Sequence, residues 1–334
     1  MQTKTLRIKD LQKETIETYP NNVSQNPLVS VCVQTYQHEK YIKQCLDGIL
    51  MQQTNFDFEI LLGEDESKDK TREICKEYAK KHNKKIKLFL HNRKNLIKIN
   101  GNPTGRFNFL YNLEKAKGKY IALCEGDDYW TDKNKLQKQV DFLENNANFS
   151  ICFHNMEIFY ENDPEIKEFS NINQKEITTI NDLAKGNYIY TASCVFRNNN
   201  LNLPEFITKT PVGDYPLFML NAKYGKIKYI NSVMGVYRKH DGGVWANKNY
   251  EFTSINFLKT RELLIDNFDD TVNKILKNQY RKNAMHLGFI YLNINNIEKA
   301  KKCFNKANKY VSRFKFLLAS VYYLTKIFIK VVKI

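Results

Sequence analysis

Three carboxylates lie within four residues of the chain, at Glu125, Asp127 and Asp128, directly after the apolar run Tyr120–Leu123. Like charges this close repel and raise one another's pKa unless a cation or a solvated turn relieves them. Taken alone, the group allows two interpretations. It could be an acidic turn before a helix that Asp132 caps. It could equally be a site for a divalent cation and a phosphorylated ligand, because hard cations prefer carboxylate oxygens.

Apolar runs alternate with helical patterns through the chain up to this group. Uninterrupted runs of Val, Ile and Leu are typical of strands that are buried on both faces of a sheet. Their alternation with helices predicts βαβ units with right-handed crossovers and a mostly parallel central sheet flanked by helices, which is an α/β fold. The predicted strands up to this group are Leu28–Val33, Phe58–Leu62, Ile86–Leu90 and Lys119–Cys124. Further along the chain we predict a loop over the site at residues 161–180 and another strand at Tyr190–Arg197.

Polar side chains follow three of these strands at the point where each strand ends. The first strand leads into Thr35 and Tyr36, the second into Glu64 and Asp65, and the fourth into the acidic group. Ligands of parallel sheets gather at the carboxyl ends of the strands. Chance acidic turns have no reason to share one edge of a sheet, so this convergence favours the ligand site over the turn.

Three segments together resemble the family 2 glycosyltransferases in their order and spacing. They are Pro27–Tyr36, Glu59–Thr71 and Ala116–Trp130, and the similarity extends over roughly residues 27 to 245. The resemblance implies a GT-A fold, which is a Rossmann-like version of the predicted α/β sheet. It also implies a nucleotide-sugar donor and transfer of its sugar to an acceptor.

The resemblance further implies a metal, Mn²⁺ or Mg²⁺, as cofactor. In the family the last acid of an acid-x-acid element binds the cation that bridges the donor diphosphate, and here that residue is Asp127. His240, in the closing loop after the last strand, is expected to reach the same metal or the diphosphate. A single histidine is more often structural, so both roles stay open for His240.

The nucleoside and the diphosphate of the donor are expected to contact a wider set of residues. Arg93 also fits a solvated loop arginine, and Asp128 also fits a turn residue. Glu125 stands where the family usually has Asp, and Glu66 stands where many relatives have Gly. The residues that we assign to donor binding are Thr35, Tyr36, Glu39, Asp65, Arg93, Glu125, Gly126, Asp128 and Arg238.

Asp214 is the candidate catalytic base. The pattern Asp214-Tyr215-Pro216 fits a helix start, with Asp214 as N-cap and Pro216 in the first turn. In the family, an acidic residue at the start of this helix takes the proton from the acceptor hydroxyl. Both interpretations can hold, because a helix N-terminus also favours the ionised carboxylate.

Composition limits the class of protein further. The chain has 334 residues, 42% hydrophobic residues and a net charge of +16, which excludes wholesale disorder and suggests polyanionic or phosphorylated partners. Seven cysteines without a C-x-x-C pair indicate reduced core thiols in a cytosolic protein. The polar start of the chain predicts no secretory signal, and no apolar run reaches the length of a membrane-spanning helix.

We predict three parts: an N-terminal arm over residues 1–26, the GT-A domain over 27–248 and a helical region over 249–334. In the helical region, Leu287-Gly288-x-x-Tyr291 and its sequel fit one tetratricopeptide-like hairpin. Phe316–Ile334 is apolar and punctuated by lysines. It fits either a terminal helix on the core or an interfacial helix on an anionic membrane.

The sequence therefore predicts a metal-dependent, inverting glycosyltransferase. The donor is taken as a UDP-sugar, and the acceptor as a hydroxyl of a glycan or lipid-linked glycan in surface polysaccharide synthesis. We expect a cytoplasmic enzyme, peripheral on the inner face of the cytoplasmic membrane, with oligomer contacts possible through the C-terminal helices. Nucleic acid is not expected, because the basic residues lack interleaved aromatics. The alternatives are a sugar nucleotidyltransferase and a non-catalytic nucleic-acid or scaffold protein.

Overall fold

The computed structural model describes residues 5–199, 202–243 and 248–310. The chain divides into two compact units, one formed by residues 1–183 and 187–247 and the other by residues 184–186 and 248–334. None of the helices within the three described ranges combines the length and the apolar character needed to cross a membrane. The predicted interfacial helix, Phe316–Ile334, lies outside the described residues.

One large sheet organises the first unit, and a separate two-stranded hairpin accompanies it. Strand order in the large sheet is β1-β4-β3-β2-β7-β12-β9-β13-β11, with β10 paired to β9 and β8 paired to β13. The strands are β1 (Glu17–Thr18), β2 (Val29–Thr35), β3 (Phe58–Glu64), β4 (Ile86–Leu90), β5 (Ile97–Ile99), β6 (Asn102–Thr104), β7 (Tyr120–Leu123), β8 (Tyr129–Trp130), β9 (Phe149–Tyr160), β10 (Glu168–Phe169), β11 (Ile177–Thr178), β12 (Val195–Arg197) and β13 (Lys226–Lys239).

The helices connect these strands in the first unit and make up most of the second. Several of those between strands bury one apolar face. Ile42, Cys45, Leu46 and Ile49 form this face in the first helix, Ile42–Leu50, and packing of such a face stabilises a helix more than its propensity does. The helices are α1 (Ile42–Leu50), α2 (Thr71–Lys81), α3 (Arg106–Lys115), α4 (Lys135–Asn145), α5 (Ile180–Leu183), α6 (Asp214–Asn221), α7 (Tyr250–Leu264), α8 (Asp270–Asn293) and α9 (Ile297–Asn308).

The centre of the sheet confirms the predicted parallel α/β architecture. Strands β4, β3, β2 and β7 run parallel, and β2, β3 and β7 are almost wholly buried. Parallel pairing aligns their carboxyl ends, because Thr35 stands opposite Glu64 and Cys32 opposite Leu123. The predicted strand ends therefore share one edge of the sheet.

The later strands differ from the sequence prediction in two places. The expected strand Tyr190–Arg197 is a 3₁₀ turn at Thr191–Ser193 followed by β12, which lies antiparallel between β7 and β9. Residues 161–180, expected to form a loop over the site, contain β10 and β11, which extend the sheet. Small residues at 191–193 suit a tight turn as well as a strand, which explains the first error.

In the second unit, α8 and α9 form a helical hairpin. Ala284, Leu287 and Tyr291 are buried along α8, and Ala300 and Ala307 are buried along α9. The helices approach closely where α8 carries a glycine: a Cβ atom at that position, Gly288, would lie 2.6 Å from the ring of Phe304.

Candidate active site

The acidic turn after β7 packs directly on the end of β2. The backbone N–H of Gly126 donates to the carbonyl oxygen of Gln34 at 3.0 Å. A Cβ atom on Gly126 would lie 2.7 Å from Oγ1 of Thr35 and 2.8 Å from Nδ1 of His38. Only glycine fits there, so the structure brings Gly126 and Thr35 together as predicted.

Asp127 faces two imidazole rings. Its Oδ2 atom lies 3.2 Å from Nε2 of His240 and 3.8 Å from Nε2 of His38. Burial opposes ionisation of Asp127, but the hydrogen bond with His240 and the charges that both histidines can carry outweigh it and hold its pKa below the ordinary value. Asp127 is therefore an ionised acceptor with one oxygen in a polar cluster.

Asp128 and Arg238 join the acidic turn to β13. The backbone N–H of Arg238 donates to Oδ1 of Asp128 at 2.9 Å, and its Nε donates to the carbonyl oxygen of Asp127 at 3.0 Å. The guanidinium also lies over the rings of Tyr41 and Tyr129, 4.9 and 5.1 Å from their centroids. Burial and the neighbouring carboxylates raise the pKa of Asp128 well above its usual range. These contacts fit the turn interpretation of Asp128.

Glu125 is held near both other acids of the site. Burial, followed by the charges of Asp127 and Asp214, raises the pKa of Glu125 to about 8. Its Oε1 accepts a long hydrogen bond of 3.5 Å from Gln34, and a hydrogen bond from Thr191 partly offsets the rise in pKa. Among the residues that the structure describes, none lies within hydrogen-bonding geometry of the buried Oε2. A buried carboxyl oxygen left in this way is available to a ligand.

Asp65, Tyr36 and Arg93 form a second group at the ends of β2 and β3. The Arg93 guanidinium lies 4.0 Å above the ring of Tyr36, and its Nη1 donates to the carbonyl oxygen of Asp65 at 3.5 Å. Burial, with the adjacent Glu64, raises the pKa of Asp65 to about 7. Arg93 is therefore part of this group and not a detached loop arginine.

Two glutamates near this group stabilise loops. Glu66, which stands where the family resemblance leads us to expect Gly, adopts a positive φ of 57°. Its carboxylate accepts a hydrogen bond from the Arg93 backbone N–H at 2.7 Å. Glu39 is exposed, and its carboxylate accepts from the backbone N–H of Lys70 at 3.0 Å. The structure therefore ties Glu39 to the start of α2.

Asp214 is the first residue of α6, and Gly213 is the N-cap, so the predicted N-cap is one residue too late. Oδ2 of Asp214 accepts from Thr191 Oγ1 at 3.1 Å and from Asn187 Nδ2 at 3.3 Å. Its Oδ1 accepts from the backbone N–H of Tyr215 at 2.7 Å. Burial raises the pKa of Asp214 despite these bonds, and a raised pKa suits the base that the sequence predicts at this position.

The sequence interpretation missed several side chains that the structure places at the site. His38 carried a signal, since it follows the end of β2 within three residues of Thr35. Asn187 and Thr191 carried none, because their segment was predicted as a strand or was unassigned. Arg106, buried at the start of α3, donates to Thr210 Oγ1 at 2.9 Å and fixes the chain before Asp214.

The site can be tested for its fit to a divalent cation. Among the side chains that the structure describes, no group of three or more His, Cys, Asp or Glu forms a ready-made metal site. Mg²⁺ in nucleotide enzymes commonly takes one or two carboxylates and completes its shell with phosphate oxygens and water. Asp127, 20% exposed beside His240, fits such a shared site. Oε2 of Glu125, which has no hydrogen-bond partner within the described part of the chain, is also available at this site.

Comparisons with known proteins agree with this geometry. The sequence profile described as "Glycosyl transferase family 2" matches residues 30–201, more than half of the chain. An uncharacterized protein of Mycobacterium tuberculosis is 34% identical over 246 residues, which is 71% of this chain and 68% of that protein. TuaG of Bacillus subtilis is 26% identical over 66% of this chain and 83% of its own length, and its name assigns it provisionally to teichuronic acid biosynthesis as a glycosyltransferase.

Two solved structures share the fold at low sequence identity. TarS of S. aureus in complex with UDP-GlcNAc has a TM-score of 0.55 and 16% identity, covering 83% of this chain and 90% of that one. The mannosyltransferase PcManGT of Pyrobaculum calidifontis, in complex with GDP-Man and Mn²⁺, has a TM-score of 0.53 and 15% identity, covering 95% and 85%. The predicted GT-A fold is confirmed. The chain is a glycosyltransferase and belongs to glycosyl transferase family 2.

Proposed function

We propose that this enzyme moves a sugar from a nucleotide-sugar donor to a hydroxyl group of a glycan or lipid-linked glycan, with inversion and with the help of Mn²⁺ or Mg²⁺. The observation that carries the proposal is the opposite state of two acids that both act on Glu125. Asp127 is held ionised beside two imidazoles, while burial raises the pKa of Asp214. One acid suits a cation and the other suits a proton.

The donor assignment rests on the strand ends and on two structural neighbours. Asp65, Tyr36 and Arg93 present a carboxyl group, an aromatic face and a guanidinium at one edge, which suits a base, a ribose and a diphosphate. TarS holds UDP-GlcNAc and PcManGT holds GDP-Man in their complexes. Both ligands are nucleoside diphosphate sugars, and we take a UDP-sugar as the first candidate.

The chemistry divides between the two acids. A bound divalent cation would stabilise the charge that develops on the departing nucleoside diphosphate. Asp127 and His240 would hold that cation, and Thr35, Gly126 and Glu125 would border it. Asp214 would take the proton from the acceptor hydroxyl as that oxygen attacks the anomeric carbon. A single displacement inverts the configuration and requires no covalent sugar–enzyme intermediate.

The acceptor and the cellular setting extend the proposal. TuaG, provisionally named for teichuronic acid synthesis, supports a surface polysaccharide as acceptor. The lysine-punctuated apolar segment Phe316–Ile334 supports a peripheral place on the inner face of the cytoplasmic membrane, where each basic residue adds about 1 kcal/mol of attraction to anionic lipid. We further propose that the chain consists of an N-terminal arm (1–26), a GT-A domain (27–248) and a helical region (249–334), and that any oligomer contacts involve the C-terminal helices.

The test uses the full chain with a panel of UDP-, GDP- and dTDP-sugars, each with Mn²⁺, with Mg²⁺ or with EDTA. We expect release of the nucleoside diphosphate from one donor class, dependent on the cation, and lost in the Asp127→Asn variant. Diphosphate release from a nucleoside triphosphate and a sugar 1-phosphate would instead identify a nucleotidyltransferase. Absence of turnover with every donor, combined with tight binding of RNA, would favour a non-catalytic binder.

A further inference from the structure

Among the described residues, two side chains and the backbone of Tyr215 donate hydrogen bonds to the carboxylate of Asp214, and these bonds are unevenly shared between its two oxygens. Oδ2 accepts from the side chains of Asn187 and Thr191, at 3.3 and 3.1 Å. Oδ1 accepts from the backbone N–H of Tyr215, at 2.7 Å. A carboxylate offers about four lone-pair positions, two on each oxygen. Room for a further proton donor is therefore greater at Oδ1 than at Oδ2.

The turn that carries Thr191 is itself anchored. The indole N–H of Trp130, two residues beyond Asp128, donates to the carbonyl oxygen of Ala192 at 2.8 Å. Gln139 of α4 donates to the carbonyl oxygen of Ser193 at 2.9 Å, and Ser193 Oγ donates to the carbonyl oxygen of Tyr190 at 2.6 Å. The turn that contains Thr191 is therefore held in place by hydrogen bonds to α4 and to β8, the strand that follows the acidic turn.

On the proposed function, which this inference deepens, we infer that Asn187 and Thr191 are positioning residues that bind Oδ2 of Asp214 and turn Oδ1 toward the acceptor hydroxyl. The aim of a base matters because a proton transfer requires hydrogen-bond reach between the two oxygens. Two side-chain donors on one oxygen fix the rotation of the carboxylate, which a single bond from the Tyr215 backbone does not. Both donors also bind the charged form of the base.

Three further titratable groups, from three different elements, interact electrostatically with Asp214. Arg106 of α3 favours the ionised carboxylate, because its positive charge lowers the pKa of Asp214. Glu125, after β7, experiences the charge of Asp214, and so does Cys194, which follows the 3₁₀ turn. Arg106 and Cys194 keep their side chains in both variants, but Thr191 also lowers the pKa of Glu125 through a side-chain hydrogen bond. Thr191→Val therefore acts on both acids, and Asn187→Ala, which leaves Thr191 in place, separates the effect on Asp214 from the effect on Glu125.

The test measures the pKa of Asp214 directly, by ¹³C NMR of protein labelled at the aspartate carboxyl carbon, without metal or substrate. The Asp214→Asn variant identifies the resonance. Thr191→Val removes the hydroxyl at nearly constant volume, and the pKa of Asp214 is expected to rise by about 0.7, which corresponds to one lost hydrogen bond of about 1 kcal/mol. Asn187→Ala should raise it in the same direction, and Thr191→Ser should restore the wild-type value.

Two results would overturn the inference: an unchanged Asp214 titration in Thr191→Val, or a Thr191→Ser variant that behaves like Thr191→Val. Because the measurement needs no sugar transfer, its failure is separable from failure of the proposed function. If Asp214→Asn retains full transfer, Asp214 is not the base, whatever the titration shows. If Asp214→Asn loses transfer while Thr191→Val leaves the titration unchanged, only the role of the two positioning residues is wrong.

Discussion

The acidic turn after β7 and the start of α6 hold their carboxylates in opposite ways. In the turn, Asp127 shares one oxygen with two imidazoles, His38 and His240, and its pKa is lowered. At α6, Asp214 is bound by neutral donors, an amide and a hydroxyl among them, and its pKa is raised because burial outweighs these bonds. These opposite settings suit the two different tasks that we propose for Asp127 and Asp214.

This difference in pKa would let both acids serve the proposed reaction. A carboxylate surrounded by groups that can carry positive charge stays ionised, and an ionised carboxylate can bind a cation. A buried carboxylate with neutral donors keeps a higher proton affinity, which a base needs at the moment when it takes a proton. Asp128 combines features of both acids. It lies in the same turn as Asp127, but it is buried and its pKa is raised, and its Oδ1 accepts a hydrogen bond from the Arg238 backbone N–H.

The largest loss of sugar transfer is expected when Asp214, the proposed base, is replaced. Asp214→Asn keeps the shape of the side chain and removes its proton affinity, so sugar transfer should fall by about 10³-fold to 10⁴-fold. Binding of the donor, measured by calorimetry, should stay within about twofold, because the acids of the turn are intact. Asp141→Asn, an exposed carboxylate on α4 that bonds to Gln137, is the matched control and should transfer normally. Full transfer in the Asp214→Asn protein would exclude Asp214 as the base.

A smaller loss, on the order of 10²-fold to 10³-fold, is expected from Asp127→Asn, because the cation loses a charged ligand but keeps the diphosphate. Here donor binding in the presence of Mn²⁺ should weaken together with turnover, unlike in Asp214→Asn. Asp132→Asn is the control, since Asp132 lies on the same stretch and pairs with Lys138 at 2.6 Å. If Asp132→Asn and Asp127→Asn lowered turnover equally, the turn would be a structural feature and not a metal site.

The sequence predicted the parts of the site that follow from strand ends. Uninterrupted Val, Ile and Leu runs identify the central parallel strands, and parallel pairing alone brings Thr35, Asp65 and Asp127 to one edge. The role of Asp214 rests on resemblance and position and stays a prediction. The strand predictions succeed because burial pattern and strand direction follow from the local sequence.

The supporting side chains could not be predicted in this way. Arg106 looks like one more basic residue in a chain of net charge +16, yet it is 6% exposed and bonds to residue Thr210, more than a hundred positions away. Thr191 lies in a segment that suits a strand, and its turn is fixed by the distant Trp130. Such contacts depend on tertiary packing, which overrides local preference.

The smallest effect concerns stability and should differ in sign between the two acids. The pKa of Asp127 is lower in the folded state than its unfolded value of 3.8, so its ionised form contributes to stability. This contribution is present above pH 3.8 and is lost as the pH falls through the folded-state pKa. The raised pKa of Asp214 means the reverse: its contribution is present below 3.8 and lost as the pH rises through the folded value. Urea unfolding at pH 8 should therefore show Asp127→Asn losing about 1 kcal/mol while Asp214→Asn loses nothing or gains. Equal losses in the two variants would contradict the opposite electrostatic settings of these acids, because a merely structural pair of hydrogen-bonded carboxylates would respond alike.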